Sequence, residues 1–106
     1  MSQIAKLRKL RQELLGHIGS IEEMRRGSVI RQFFKTKRKL LNVPVLIGPY
    51  ALYTYKRGGK TFGRRLREPE EIRRLEEQVE NYHVFRRLCR ELVDLSEQIC
   101  DEKNKK

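Results

Sequence analysis

The chain has 106 residues, of which 37 % are charged and 38 % hydrophobic, and its formal net charge is +11. Ordinary globular chains hold about 25 % charged and 45–50 % apolar residues, so the expectation is one domain with a small core that self-association would enlarge. No run of about 18 apolar residues is present to span a bilayer, and the first residues lack a signal-peptide-like apolar stretch, so a cytoplasmic protein is expected.

Residues 3–26 read as a helix. Ile4, Leu7, Leu14, Ile18 and Ile21 recur at helical spacing, flanked by Leu10, Leu15 and Met24, which describes a core-facing or coiled-coil-like stripe. Gly16 and Gly19 weaken it, and Gly27 is the expected stop because glycine tolerates positive φ. Val29–Phe34 is a short strand candidate, rich in β-formers. Residues 35–48 read as a basic loop holding a small apolar island, since Pro44 argues against a central strand.

The clearest local signal is a hairpin over 50–66. Gly58-Gly59 suits a two-residue type I′ turn, where both residues take positive φ. Pairing Arg57 with Lys60 sets Tyr55 opposite Phe62, Tyr53 opposite Arg64 and Ala51 opposite Leu66, all on one face. The other face then carries Tyr50, Leu52, Thr54 and Lys56 with Thr61, Arg65 and Arg67.

A long helix over about 69–102 closes the chain. Pro69 suits its first turn, and Glu68, Glu70 and Glu71 complement the positive end of the helix dipole. Ile72, Leu75, Val79, Tyr82, Cys89 and Val93 form one stripe. Phe85, Leu88, Leu92, Leu95 and Ile99 form a second, which is the candidate seam for a second copy. Cys89 and Cys100 lie eleven residues apart on this helix, about 16 Å at 1.5 Å per residue, too far for an intrachain disulfide. Residues 103–106 are expected to fray. The fold class is α+β: an N-terminal helix, a short antiparallel sheet with a Gly-Gly hairpin, and a long C-terminal helix in a single domain.

Charge is distributed unevenly along these elements. Met24–Arg67 holds thirteen lysines and arginines and no aspartate or glutamate, whereas residues 1–23 net +1 and residues 68–106 net −3. Ordinary surfaces intersperse both signs, so the middle of the chain is expected to meet a polyanion. The candidate nucleic-acid contacts are Arg31, Lys35, Lys37, Arg38, Lys39, Lys56, Arg57, Lys60, Arg64, Arg65 and Arg67, with Tyr50 and Tyr53. Tyr55 and Phe62 are expected to pack over a helix. Tyr50 and Tyr53 are open between packing and stacking on unpaired bases.

Signals for catalysis are poor. His17 and His83 are isolated, Arg57-Gly58-Gly59-Lys60 is a turn rather than a phosphate-binding loop, and cysteine and histidine spacing matches no zinc site. No catalytic residue, metal or cofactor is expected.

Arg26-Gly27-Ser28-Val29, Gly48-Pro49-Tyr50, Gly58-Gly59-Lys60-Thr61 and a glutamate-rich helix containing Glu80-Asn81-Tyr82 occur in that order. Over roughly residues 26–100 this layout resembles a bacterial family of small proteins of unknown function, often encoded beside transposases. The family has a cysteine-rich knuckle between its first strand and its hairpin; here Phe34–Asn42 stands in that place without a cysteine. If the knuckle binds metal, that site is lost here while the basic residues remain. The resemblance implies mobile-element DNA or RNA as a partner.

The leading expectation is a non-catalytic nucleic-acid-binding module gripping the phosphate backbone, with DNA favoured over RNA, acting as a homodimer or as a subunit of a larger nucleoprotein complex. The alternative is an adaptor that docks another protein through its amphipathic helices and meets an acidic partner with its basic centre. No small-molecule substrate is expected. Membrane attachment fits less well, because Glu76, Glu77, Glu80, Glu91 and Asp94 flank the helix stripes where interfacial helices carry lysine and arginine.

Overall fold

A computed structural model describes residues 2–37 and 44–105, with side chains described outside 33–49. The order is α1 (Gln3–Ser20), β1 (Ser28–Lys37), β2 (Pro44–Arg57), β3 (Lys60–Leu66) and α2 (Pro69–Asn104). This is the expected α+β class. The chain divides into two compact units, Arg25–Val79 and Met1–Met24 with Glu80–Lys106. No described helix is long and apolar enough to cross a membrane.

The sheet-bearing unit is a three-stranded antiparallel sheet in the order β1-β2-β3. The hairpin register is the expected one, with Arg57 opposite Lys60, Tyr55 opposite Phe62, Tyr53 opposite Arg64 and Ala51 opposite Leu66. Gly58 and Gly59 have φ of 59° and 79°, the positive pair that a type I′ turn needs. Side chains alternate across a strand, so Ala51, Tyr53 and Leu66 share one face, and all three are buried. They form one cluster with Ile72, Leu75 and Val79 from the first turns of α2, flanked by Val29 and Tyr55. The 3-4 spacing of those helix residues presents one stripe to the sheet. The sequence stripe continued to Tyr82, Cys89 and Val93, but Val93 is 55 % exposed.

Residues 44–48 are strand, not loop. Pro44 opens β2 opposite Lys37, and a first strand position tolerates the missing N–H. The β1–β2 register shifts by one between Gln32 and Phe34, leaving Gly48-Pro49 on β2 opposite one residue of β1. A bulge absorbs the glycine and proline that made this segment read as a loop. β1 likewise runs through Lys37 rather than ending at Phe34.

The helical unit holds α1 and the later part of α2. Ser2 caps α1, its hydroxyl accepting from Ala5 N at 3.2 Å. The helix ends at Ser20, not near 26, with Ile21 N donating to Ile18 O at 3.2 Å and Ser20 Oγ to His17 O at 2.6 Å. The following residues find other partners. Glu23 O accepts from Asn81 Nδ2 at 2.9 Å. Within the sheet unit, Arg25 N donates to Gln78 O at 3.0 Å and Arg25 Nε to Gln78 Oε1 at 2.9 Å. Leu7 and Leu88 are the buried residues among those described in the helical unit. Leu88, placed in the seam for a second copy, is 4 % exposed and belongs to the interior of its own chain. Phe85, Leu92, Leu95 and Ile99 are half-buried. Cys89 and Cys100 are both free thiols.

Gly27 is not a helix stop. Its φ of 115° places it at the entrance to β1, where a Cβ would run into Thr54 O and lie 3.0 Å from both the Tyr53 ring and Tyr55 Cβ. Glycine is required there by both backbone conformation and space.

Candidate nucleic-acid interface

β2 and β3 put basic side chains on both faces of the sheet, and the two faces treat them differently. On the face toward α2, Arg31 of β1 meets Glu76, with Nε to Oε2 at 3.0 Å and Nη2 to Oε1 at 2.6 Å. Arg64 of β3 meets Glu71 at 3.1 Å. The glutamates sit on α2 flanking its apolar stripe, so each edge strand supplies one arginine to the rim of the core. The hydrogen bond from Arg31 holds the Glu76 carboxyl below the usual carboxylate range, with charge attraction adding and burial opposing. The same bond raises the Arg31 pKa. Both arginines, expected at a nucleic-acid surface, are exposed and are each paired with a helix carboxylate.

Tyr53, by contrast, lies in the interior. It is 5 % exposed, and its hydroxyl donates to Arg26 O at 2.8 Å. A buried ring with its polar end satisfied is a packing residue, not a platform for bases. Tyr55 stacks on Tyr53 with centroids 5.2 Å apart and on Phe62 at 5.3 Å. Tyr55 packs against the core cluster as expected, whereas Phe62 stacks on Tyr55 and is 42 % exposed.

The outer face and the turn keep the rest. Lys56, Arg57, Lys60, Arg65 and Arg67 are all exposed, and among the described residues none of the five makes an ion pair. Arg65 and Arg67 bring their guanidinium carbons to 5.7 and 5.4 Å from the centre of the Tyr50 ring, within cation–π range. The ring's electron-rich face thus gathers two cations that would otherwise repel. Across from Tyr50 and Leu52 on this face lie Gln32 and Ile30 of β1, and Ser28 and Thr54 share a hydroxyl hydrogen bond of 3.2 Å. Of the other expected contacts, Arg38 and Lys39 lie outside the described residues. Lys35 and Lys37 are described only as backbone in β1.

A second concavity, which the sequence reading missed, lies within the helical unit. A groove of about 490 Å³ is lined by Leu10, Glu13, Leu14, His17, Glu91, Asp94, Leu95 and Gln98. Its lining holds three carboxylates and no lysine or arginine. Leu10–Leu14 and Glu13–His17 sit at i,i+4 on α1, and that spacing was the available clue. Their company with Glu91, Asp94 and Leu95 is a tertiary fact. Among the described residues no group of three or more histidines, cysteines or acids is placed to hold a metal. No family model, curated protein or solved structure matches this chain.

Proposed function

We propose that this chain is a non-catalytic nucleic-acid-binding protein that grips the phosphate backbone with the outer face and turn of the β2–β3 hairpin, with DNA favoured over RNA. The observation that carries the reading is the division of labour among the basic residues. The glutamates of α2 pair with the exposed Arg31 and Arg64, while Lys56, Arg57, Lys60 and Arg65 on the acid-free strands β2 and β3, and Arg67 just beyond β3, are exposed without an ion pair among the described residues. Phosphate contacts release counterions, so affinity should fall steeply with salt. With about six phosphates engaged on duplex DNA, log affinity against log salt should slope near −5. Fluorescence anisotropy across a salt series tests this, and a slope near zero at low salt would remove the reading. An accessory role in a mobile element or another nucleoprotein complex, in a cytoplasmic setting, accords with the order of motifs along the chain. Self-association would use the helical unit, where Leu10 and Val93 are half-exposed.

A second reading, protein docking, has its own observation in the groove of the helical unit. Its apolar lining of Leu10, Leu14 and Leu95 and its acidic lining of Glu13, Glu91 and Asp94 suit a partner segment with apolar and basic side chains, by charge complementarity. That differs from the acidic partner expected from the basic centre. Changing Glu13, Glu91 and Asp94 to their amides should weaken capture of such a peptide and leave nucleic-acid binding unchanged. Unchanged capture would exclude the groove.

A further inference from the structure

We infer that the β2–β3 hairpin enters the major groove of duplex DNA tip first, as a two-stranded ribbon, so that duplex DNA rather than single strands or duplex RNA is the ligand. The inference rests on the phosphate-binding reading above and adds the mode and the form of nucleic acid. Its first ground is shape. Past the stacked pair Tyr55 and Phe62, every residue from Lys56 to Thr61 is exposed. A Cβ built on Gly58 or Gly59 would meet nothing within 4 Å, so the tip stands clear of its surroundings. Tyr55 and Gly58 are three steps apart along the strand, roughly 10 Å at about 3.4 Å each, and paired strands lie about 5 Å apart. The major groove of B-DNA is about 12 Å wide and 8.5 Å deep and admits a two-stranded ribbon.

Stiffness is the second ground. The Tyr53, Tyr55 and Phe62 rings stack in succession along the base of the tip, with Tyr53 anchored in the core. The ribbon is thereby braced where it leaves the sheet. The same stacking argues against single strands. Unpaired bases need a run of open aromatic faces, and here Tyr53 is buried, Tyr55 stacks on two neighbours, Tyr50 has two guanidinium groups near its ring, and Phe62, 42 % exposed, is a lone platform with one side stacked on Tyr55.

The third ground is chemistry. Lys56, Arg57 and Lys60 are donors without acceptors, and the major groove edge of guanine offers two acceptors, N7 and O6. Arg65 and Arg67 stand five and seven residues beyond Lys60 along the chain. From there they meet phosphates bordering the groove rather than base edges. Duplex RNA closes this route, because its major groove is too deep and narrow for side chains to read.

The test compares one duplex DNA of about 20 base pairs, its single strand and the duplex RNA of the same sequence by anisotropy with the full chain at ~100 mM salt. Competition by methyl green, a major-groove ligand, is set against netropsin, a minor-groove ligand. The expected result is at least tenfold tighter binding to duplex DNA, displacement by methyl green alone, and about a tenfold loss for Arg57→Gln. Replacing Gly58 with Asn keeps an Asn-Gly type I′ turn and should leave affinity unchanged. Equal binding to all three ligands, or displacement by netropsin, overturns the ribbon while leaving the phosphate reading intact. No binding to any of them overturns both.

Discussion

The two compact units are built on opposite principles. The sheet unit buries Ala51, Tyr53, Leu66, Ile72, Leu75 and Val79 in one cluster and carries fifteen basic against five acidic residues. Among the described residues of the helical unit only Leu7 and Leu88 are buried, and the unit carries ten basic and nine acidic residues. Core and charge therefore concentrate together. Confining like charges costs free energy, and the connected apolar cluster under the sheet offsets it. The helical unit has little repulsion to offset and little core.

The sharpest way to break this comparison is to damage the sheet core. Ile72 is 1 % exposed, and Ile72→Ala should cost about 3 kcal/mol, read as a lowered denaturant midpoint. Gly27→Ala should cost at least about 2 kcal/mol, from a φ that alanine resists and from the collision with Thr54 O. Should either variant unfold with the midpoint of the parent, the sheet core is not the stabilising element claimed here.

Leu88→Ala acts on the other unit, with a smaller expected cost of about 2 kcal/mol. Its effect should be local. Amide hydrogen exchange of α1 should quicken while the β2 amides keep their protection, because regions with little buried apolar surface open separately. Equal exchange in α1 and β2 of the parent chain would erase the distinction between the units.

On the charged side, changing Lys56, Arg57 and Lys60 together to Gln should reduce duplex affinity about tenfold or more, through lost contacts to base edges in the major groove. Thermal stability should be retained, since all three are exposed and make no ion pair. Neutralising Lys103 and Lys105, at the far end of α2, should change affinity little.

The smallest effect concerns the ion pair between Arg31 and Glu76. A carboxylate whose pKa is lowered by folding adds stability that is present above its unfolded pKa and lost as pH falls through the folded one. Glu76 is such a group, though exposure to solvent keeps the contribution small. Glu76→Gln should therefore lower the melting temperature slightly at pH 7, and the difference should vanish in acid below the carboxylate range. A difference that grew in acid would contradict the assignment.

Much of this protein follows from its sequence alone. Turn chemistry at Gly58-Gly59 set the hairpin and with it the register of every β2–β3 pair, because a two-residue turn leaves no freedom to slip. Pro69 and the glutamates after it marked the start of α2, and the acid-free stretch from Met24 to Arg67 marked where charge would gather. These are local properties, decided within a few residues. Tertiary structure decided the rest. α1 stops at Ser20 because the next residues find partners in Asn81 and Gln78, more than fifty positions away. Arg31 and Arg64 stay exposed but gain carboxylate partners, because α2 brings Glu76 and Glu71 to them. Tyr53 leaves the candidate interface because of the face it takes against Ile72, Leu75 and Val79. Composition counts charges, but only packing between distant elements settles which are neutralised and which remain for a ligand.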